Sequence, residues 1–340
     1  KDLAIVKGKE YAGYAWLKAP EGRPTVTIRL KGAAGDPVTV RAGGKYAKHA
    51  FRFRASETTD KAELEIAVDG APCLVGTASL MPGDNVRGMR PDTLARLREL
   101  DAPIYRWPGG NFASGYEWRD GIGDRDRRPP RKNPAWTGVE HNDFGTDEFL
   151  DFCREIRTEP LVVVNTGFGD PFSAGLWVEY VNGAAGTPMG ALRASNGRKA
   201  PHGVRWWSAG NEMFGPWQLG FMSLQQYTLK HNETVLRMKA VDPSIKLVGC
   251  GAIGWKVDKN FPDEKRDWTT GMMERCADSM DWISEHFYCQ TRDDVAAHVI
   301  VGVERVAALH REAALVDGRV IRAQLLGVLR ERASDVADRG

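Results

Sequence analysis

The stretch "VRWWSAGNEMFGPWQ", residues 204–218, begins with the pattern of a β-strand and ends in polar residues. β-branched and aromatic side chains favour a strand at its start, and the glycines that follow mark a break into a loop. Asn211 and Glu212 stand at that break, with three tryptophans close to them in sequence. A carboxyl group among indoles at the end of an apolar strand is typical of a functional cleft. The stretch therefore predicts a site at the carboxyl end of a strand.

Other segments between residues 103 and 288 repeat this arrangement, with apolar strands alternating with helical patterns. One of the helices is "GTDEFLDFCREI", for which Thr146 is the expected N-cap. The alternation predicts a parallel sheet covered by helices. Polar residues end several of the strands, including Asn111, Asn165 and His286. Such a distribution favours a (β/α)8 TIM barrel, because a doubly wound sheet concentrates its functional residues at one switch point.

The first 82 residues have a different texture. Short runs with period-two alternation, such as "TVTIRLKG" and "HAFRFRA", are separated by Gly, Pro and Asp. This pattern predicts antiparallel strands of a β-sandwich. We therefore expect a sandwich domain at residues 1–82 and an α/β catalytic barrel at residues 83–340.

The bulk composition excludes several classes of function. The chain has 340 residues, is 42% hydrophobic and carries a formal net charge of +2, so charge gives no reason to expect nucleic acid or a membrane as partner. Five widely spaced cysteines without a CxxC pair support neither a zinc site nor a disulfide framework. We expect no metal and no cofactor. A cytoplasmic location is favoured slightly over secretion, and the assembly could be a homo-oligomer.

Two further motifs have simpler interpretations than the ones they first suggest. "GCGAIG" (residues 249–254) matches a dinucleotide-binding pattern, but Pro262 and the lack of apolar periodicity argue against the helix that should follow. A glycine-rich strand-to-helix loop is the better interpretation. The charged run at residues 124–134 interleaves opposite signs, which favours a solvated loop over a nucleic-acid patch.

Glu212 is the strongest single candidate for chemistry. Apolar walls formed by Trp206, Trp207 and Trp217 would disfavour the charged carboxylate and raise its pKa. A carboxylic acid that is still protonated near neutral pH is what protonation of a glycosidic oxygen requires. The alternative is a structural carboxylate that caps a helix or forms an ion pair.

With these residues in view, the chain resembles the glycoside hydrolase family 51 α-L-arabinofuranosidases. The resemblance runs from about residue 82 to residue 290 and rests on ordered stretches: "RWPGGNFASGYEWRDGIG", "NPAWTGVEHNDFGTDEFLDFC", "EPLVVVNTG", "EYVNG", "GRKAPHGVRWWSAGNEMFGPWQLG", "VDPSIKLVGCG" and "DWISEHFY". It implies a (β/α)8 barrel and a retaining double displacement that removes terminal α-L-arabinofuranosyl residues from hemicellulose oligo- or polysaccharides. Residues 1–82 resemble a carbohydrate-binding-module-like sandwich.

The resemblance also implies a role for individual residues. Glu212 would be the acid/base catalyst, and Arg106 would support the carboxylates from behind the site. His286 and Tyr288 would orient the nucleophile and the sugar. The remaining expected contacts are to sugar hydroxyls and the pocket wall: Asn111, Asn211 and Trp136.

The expected nucleophile is the point at which the chain departs from the family. Its counterpart should be a Glu-Trp-Asn segment after the helix that follows His286, yet the sequence there reads "GRVIRAQLLGVLRERASDVADRG". Glu304, Glu312 and Glu331 do not fit that position, so the nucleophile is unknown. The resemblance further implies that the first and last barrel strands lack counterparts. Two alternatives therefore stay open: a catalytically incomplete member that at most binds sugar, and a related barrel glycosidase that acts on xylosides or β-glucans.

Overall fold

The computed structural model describes residues 1–33, 35–252 and 267–286. Two compact units are present, one formed by Lys1–Leu100 and one that begins at Asp101. The predicted domain boundary after residue 82 stays a prediction. In the part of the chain that the structure describes, no helix has both the length and the apolar character needed to cross a bilayer.

Antiparallel strands form the first unit, as the period-two alternation predicts. The strands are β1 (Leu3–Ile5), β2 (Glu10–Lys18), β3 (Thr25–Lys31), β4 (Val38–Arg41), β5 (Ala47–Arg54), β6 (Thr59–Asp69) and β7 (Leu74–Pro82), followed by the helix α1 (Pro91–Leu100). They pair as two sheets, in the orders β1–β6–β3–β4 and β5–β2–β7. One face of each sheet contributes to a shared apolar core. Gly13 lies on the inner face of β2, where a Cβ atom would come within 2.3 Å of the Phe51 ring.

The second unit contains the predicted parallel sheet. Its described strands are β8 (Ile104–Trp107), β11 (Glu159–Val164), β12 (Trp206–Ala209), β13 (Lys246–Cys250) and β14 (Trp282–Ser284), in the order β14–β13–β12–β11–β8. The pair β9 (Arg131–Lys132) and β10 (Val139–Glu140) forms a separate small hairpin. Every pairing within the larger sheet is parallel. The carboxyl ends of its strands therefore meet at one edge.

Helices separate these strands along the chain: α2 (Thr146–Ile156), α3 (Pro171–Asn182), α4 (Pro188–Ser195), α5 (Leu224–Val241) and α6 (Trp268–Cys276). The expected N-cap of α2 is wrong by one residue, since Gly145 is the cap and Thr146 begins the helix. The Thr146 hydroxyl instead accepts a hydrogen bond from Trp177 Nε1 at 3.1 Å, in the buried core. The Thr146 hydroxyl thus accepts a hydrogen bond from an indole instead of capping the helix.

Four of the nine described indoles of the second unit are buried in its core. Trp118, Trp177 and Trp207 are at most 3% exposed, and Trp118 stacks on Trp177 with ring centroids 5.9 Å apart. A second cluster surrounds Trp268, which is fully buried.

The order of the elements confirms the predicted alternation of parallel strands and helices for the described residues. The possible further strand at residues 320–328 lies outside them.

Candidate active site

Glu212 follows β12 in a backbone conformation that is rare for a side-chain-bearing residue. Its φ angle is +46°, and that of Gly210 two residues earlier is +91°. A Cβ atom at Gly210 would lie 2.0 Å from Thr166 Oγ1, so only glycine fits between the ends of β11 and β12. A non-glycine residue in the left-handed region costs about 1 kcal/mol or more and persists where its surroundings hold it. The backbone therefore fixes where the Glu212 carboxyl points.

Two hydrogen-bond partners hold the Glu212 carboxyl. His286 Nδ1 lies 2.7 Å from Oε1, and Trp217 Nε1 donates to Oε2 at 2.7 Å. The hydrogen bond with His286 is the largest cause of a lowered Glu212 pKa, burial opposes it, and Trp217 lowers it further. The expected rise in pKa is therefore wrong. Direct hydrogen bonds to the carboxylate outweigh the desolvation that the neighbouring indoles suggested.

The three indoles expected around Glu212 lie in different places. Trp207 is fully buried in the core, where its Nε1 donates to Val204 O. Trp206 packs edge-to-face on Trp282, with ring centroids 5.4 Å apart. Trp206 and Trp207 lie at the start of β12, and Glu212 follows its carboxyl end. The length of the strand therefore separates these two side chains from Glu212. Of these indoles, Trp217 is the one that contacts the carboxyl.

Trp217 is held in place by its own loop. A Cβ atom at Gly215 would lie 2.3 Å from the indole, so the ring lies directly across this glycine. Phe214 meets the ring edge-to-face at 5.9 Å. Half of the Trp217 side chain stays exposed. The indole can therefore bind Glu212 with its N–H and still present apolar surface to a ligand.

Asn211 lies in a buried chain of hydrogen bonds behind Glu212. Arg106 Nη1 donates to Asn211 Oδ1 at 2.9 Å, and Asn211 Nδ2 donates to Gln218 Oε1 at 3.1 Å. Gln218 Nε2 in turn donates to Ser114 Oγ at 2.6 Å. Asn211, Gln218 and Ser114 are each at most 2% exposed. The predicted Asn211 and Arg106 are thus brought together next to Glu212, in an arrangement that fixes the amide orientation.

Asn111 contacts the loop that carries Trp217. Its Nδ2 donates to Trp217 O at 2.7 Å, and its Oδ1 accepts from Leu219 N at 2.7 Å. The side chain therefore ties the end of β8 to the loop after β12. After these two contacts, the Asn111 side chain can still donate one amide proton and accept one further hydrogen bond.

The other predicted residues lie on the small hairpin or outside the described part of the chain. Trp136 lies between β9 and β10 and is 65% exposed, with its backbone N–H donating to Asn133 Oδ1 at 2.9 Å. Tyr288 and the carboxylates Glu304, Glu312 and Glu331 lie outside the described residues. Among those described, no group of three or more metal-ligating side chains is arranged to hold a metal ion.

Sequence reasoning missed Gln218 and Ser114. Neither residue type in a loop signals burial, because glutamine and serine are mostly exposed in proteins. Their role follows from the contacts alone: they satisfy the buried Asn211 amide, which would otherwise lose a hydrogen bond on burial. The glycine spacing in "NEMFGPWQ" is the one available signal, because Gly215 predicts a close approach of some group.

Comparison with known proteins matches this unit to one family. The family model described as "Alpha-L-arabinofuranosidase 1 domain" matches residues 96–301. A probable α-L-arabinofuranosidase C of Aspergillus fumigatus is 44% identical over 173 residues, 51% of this chain and 34% of that protein. An intracellular exo-α-(1→5)-L-arabinofuranosidase of Halalkalibacterium halodurans is 39% identical over 219 residues, 64% of this chain and 43% of that protein.

A solved structure gives the same result. The GH51 α-L-arabinofuranosidase of Thermotoga petrophila is 38% identical, with a TM-score of 0.61 over 69% of this chain and 47% of that one. The chain spans less than half the length of each of these relatives. The match nevertheless covers the strands and loops that hold Arg106, Asn211, Glu212 and His286. The chain belongs to the glycoside hydrolase family 51 α-L-arabinofuranosidases.

Proposed function

We propose that this chain carries the acid/base part of the active site of a retaining α-L-arabinofuranosidase. The observation that carries the proposal is the Glu212 carboxyl, fixed at a strand end between Trp217 and His286. The reaction is removal of terminal non-reducing α-L-arabinofuranosyl residues from arabinose-containing oligo- or polysaccharides. Family membership and the names of the relatives support this substrate class.

Glu212 has two tasks in this mechanism. As a carboxylic acid it protonates the leaving oxygen of the glycosidic bond, and as a carboxylate it later takes a proton from the attacking water. The lowered pKa favours the carboxylate form, which is the form that the second task needs. For the first task the carboxyl must be protonated, and we propose that His286 Nδ1, 2.7 Å from Oε1, then accepts a hydrogen bond from the acid and keeps it in place.

A retaining mechanism also needs a second carboxylate as nucleophile. In such enzymes the two carboxyl groups lie about 5–5.5 Å apart, and the second forms a covalent glycosyl-enzyme. The nucleophile is not assigned to any described residue. In this proposal the described residues supply proton transfer and one wall of the sugar pocket.

We further propose that the five parallel strands are part of a closed (β/α)8 barrel. Within the described residues, β8 and β14 form the two edges of the sheet. Parallel strands buried under helices leave unpaired N–H and C=O groups at such edges, and closure into a barrel pairs them. The collection of Glu212, Asn211 and His286 at the carboxyl ends of the strands supports this fold.

The other predicted residues have distinct proposed roles. Arg106 and Asn211 position the end of β12 through their mutual hydrogen bond. Asn111 keeps one amide proton and one lone pair for sugar hydroxyls, and exposed Trp136 offers an apolar wall. We propose His286 as the residue that both orients Glu212 and contacts the sugar.

Release of 4-nitrophenol from the aryl α-L-arabinofuranoside tests this function. We expect the protein to hydrolyse this compound with a kcat/KM at least about tenfold above that for the aryl β-D-xyloside, a difference of about 1.4 kcal/mol in transition-state binding. Product analysis by NMR should show α-arabinose first, as retention requires. Preference for the xyloside, or release of the inverted anomer, would contradict the proposal.

A further inference from the structure

The two outer faces of the sandwich in the first unit differ in chemistry. The outer face of β1–β6–β3–β4 carries ion pairs, among them Arg29–Glu65 at 3.0 Å and Lys31–Glu65 at 3.4 Å. Such alternation of paired charges is what a solvated sheet face normally shows. This face therefore needs no ligand to explain its composition.

The outer face of β5–β2–β7 instead carries aromatic rings. Alternation along β2 turns Tyr11, Ala15 and Leu17 into the core, so Tyr14 and Trp16 lie on the opposite side. Tyr46, which precedes β5, is 49% exposed, and its ring comes within 3.5 Å of a Cβ atom placed on Gly76. We call Tyr14, Trp16 and Tyr46 the aromatic face.

Lysines lie over these rings. Lys48 Nζ is 3.5 Å from the centroid of the Tyr14 ring and 5.9 Å from that of Trp16. Lys18 Nζ is 5.8 Å from the Tyr46 centroid. Cation–π contacts at such distances hold an ammonium group beside an aromatic plane.

The charges on this face are predominantly positive. The strand register places Lys18, Lys48, Arg52 and Arg54 on the outer side, together with one carboxylate, Glu10. Glu10 forms an ion pair with Arg52. The lysines that lie over the rings thus give the aromatic face a positive character that the outer face of β1–β6–β3–β4 lacks.

We propose that the aromatic face binds a polysaccharide chain that carries uronic acids, a proposal that rests on the proposed function for its substrate class. The C–H faces of sugar rings pack on aromatic planes, and Tyr14 and Trp16 are about 7 Å apart along one strand, which suits neighbouring sugars. Lys18 and Lys48 are placed to bind the uronate carboxylates. Bound in this way, the polymer is kept at the protein while arabinosyl side groups are removed.

Affinity electrophoresis and calorimetry with one polymer in two forms test this proposal. The probes are glucuronoarabinoxylan and the same polymer after chemical reduction of its carboxyl groups. We expect binding to the native polymer to be about three- to fivefold stronger, because exposed ion pairs contribute only modestly. Added salt should remove this difference, since exposed charges are screened.

Variants separate the rings from the lysines. Trp16→Ala and Tyr46→Ala should each weaken binding to both polymers by up to about tenfold. The double variant Lys18→Gln/Lys48→Gln should keep binding but lose the preference for the native polymer. The matched control is Lys31→Gln, which removes a cation from the opposite outer face and should change neither. Thermal unfolding monitored by circular dichroism establishes that each variant is folded.

Several outcomes would overturn the proposal. They are equal binding of the two polymers, unchanged binding by the folded Trp16→Ala and Tyr46→Ala variants, or an equal loss in Lys31→Gln. Displacement of the polymer by a single-stranded oligonucleotide at lower concentration would assign the face to nucleic acid instead. Cleavage of the aryl arabinofuranoside without polymer binding would contradict only this proposal, and polymer binding without cleavage would contradict only the proposed function.

Discussion

The single residue that organises the site is Glu212, and its surroundings differ from those that its sequence suggests. The backbone holds it at a positive φ, and two ring N–H groups can reach its two oxygens. The result is a carboxyl whose pKa is lowered although it is largely buried. Its acid–base behaviour is therefore set by His286 more than by the apolar walls.

Replacement of His286 should move the pH dependence of activity. His286→Asn removes the largest cause of the lowered Glu212 pKa, so that pKa should rise. The acid step needs protonated Glu212, and a higher pKa keeps it protonated to higher pH. We therefore expect the alkaline limb of the kcat/KM profile to shift upward.

Trp217→Phe provides the comparison for this shift. It removes a smaller cause of the same lowering, so its alkaline limb should move upward by less. The measurement is kcat/KM for the aryl arabinofuranoside across the pH range. An unchanged or downward-shifted limb in His286→Asn would show that His286 does not set the Glu212 pKa.

At the scale of elements, the loop after β12 acts as the support for Trp217. Asn111 binds its backbone at two points, and Gly215 lies beneath the indole. The loop is thus built to present the Trp217 N–H to Glu212. Changes that leave the strands intact but move this loop should affect activity more than stability.

Gly215→Ala is the most specific change of this kind. The added methyl would lie 2.3 Å from the indole, so the ring must move and its hydrogen bond to Glu212 should break. We expect kcat/KM to fall by about tenfold, or about 1.4 kcal/mol of transition-state binding, because the Glu212 carboxyl and the indole lose their fixed positions.

Gly186→Ala is the matched control, because a Cβ atom there has no neighbour within 4 Å. It should leave kcat/KM unchanged. Because the chain has 11 tryptophans, the displaced indole is followed as the fluorescence that Trp217→Phe removes, compared with and without Gly215→Ala. Full activity of that variant would show that the position of Trp217 does not matter to the reaction.

Sequence patterns predicted the strands and helices better than they predicted the side-chain contacts of the site. The apolar run "LVVV" and the alternation in "TVTIRLK" predict β11 and β3, because burial on two faces or on one face leaves a direct mark on composition. The site contacts leave no such mark. The sequence alone does not distinguish the roles of Trp206, Trp207 and Trp217. In the structure Trp207 is buried in the core, whereas a loop brings Trp217 to Glu212.

The whole second unit carries a buried group that makes its stability depend on pH. His231 is fully buried, and neither ring nitrogen has a hydrogen-bond partner within the described part of the chain. Burial lowers its pKa from 6.5 to about 4. The folded protein therefore keeps His231 neutral at a pH where the unfolded chain binds a proton.

The sign of this effect follows from proton binding. Between pH 6.5 and about 4 the unfolded state binds more protons, so the free energy of unfolding should fall as the pH is lowered. The loss over this range is about 3 kcal/mol for the single group. Denaturant unfolding at pH 7 and at pH 4.5 measures most of this loss.

His231→Leu should remove this part of the pH dependence and be close to neutral at pH 7, since no hydrogen bond is lost. His202→Leu is the comparison, because His202 Nε2 lies 3.2 Å from the buried Asp147 carboxylate and its loss should destabilise the fold at pH 7. Unaltered pH dependence in His231→Leu would contradict the assignment to His231.

The most direct test of the central claim is the dependence of the Glu212→Gln variant on the leaving group. A general acid matters most when the leaving group is poor, so loss of kcat/KM should be about 10²–10⁴-fold for an arabinosyl oligosaccharide and much smaller for the 4-nitrophenyl arabinofuranoside. Glu233→Gln, which changes a half-exposed carboxylate on α5, should leave both rates unchanged. Equal losses of Glu212→Gln on the two substrates would show that Glu212 is not the acid catalyst.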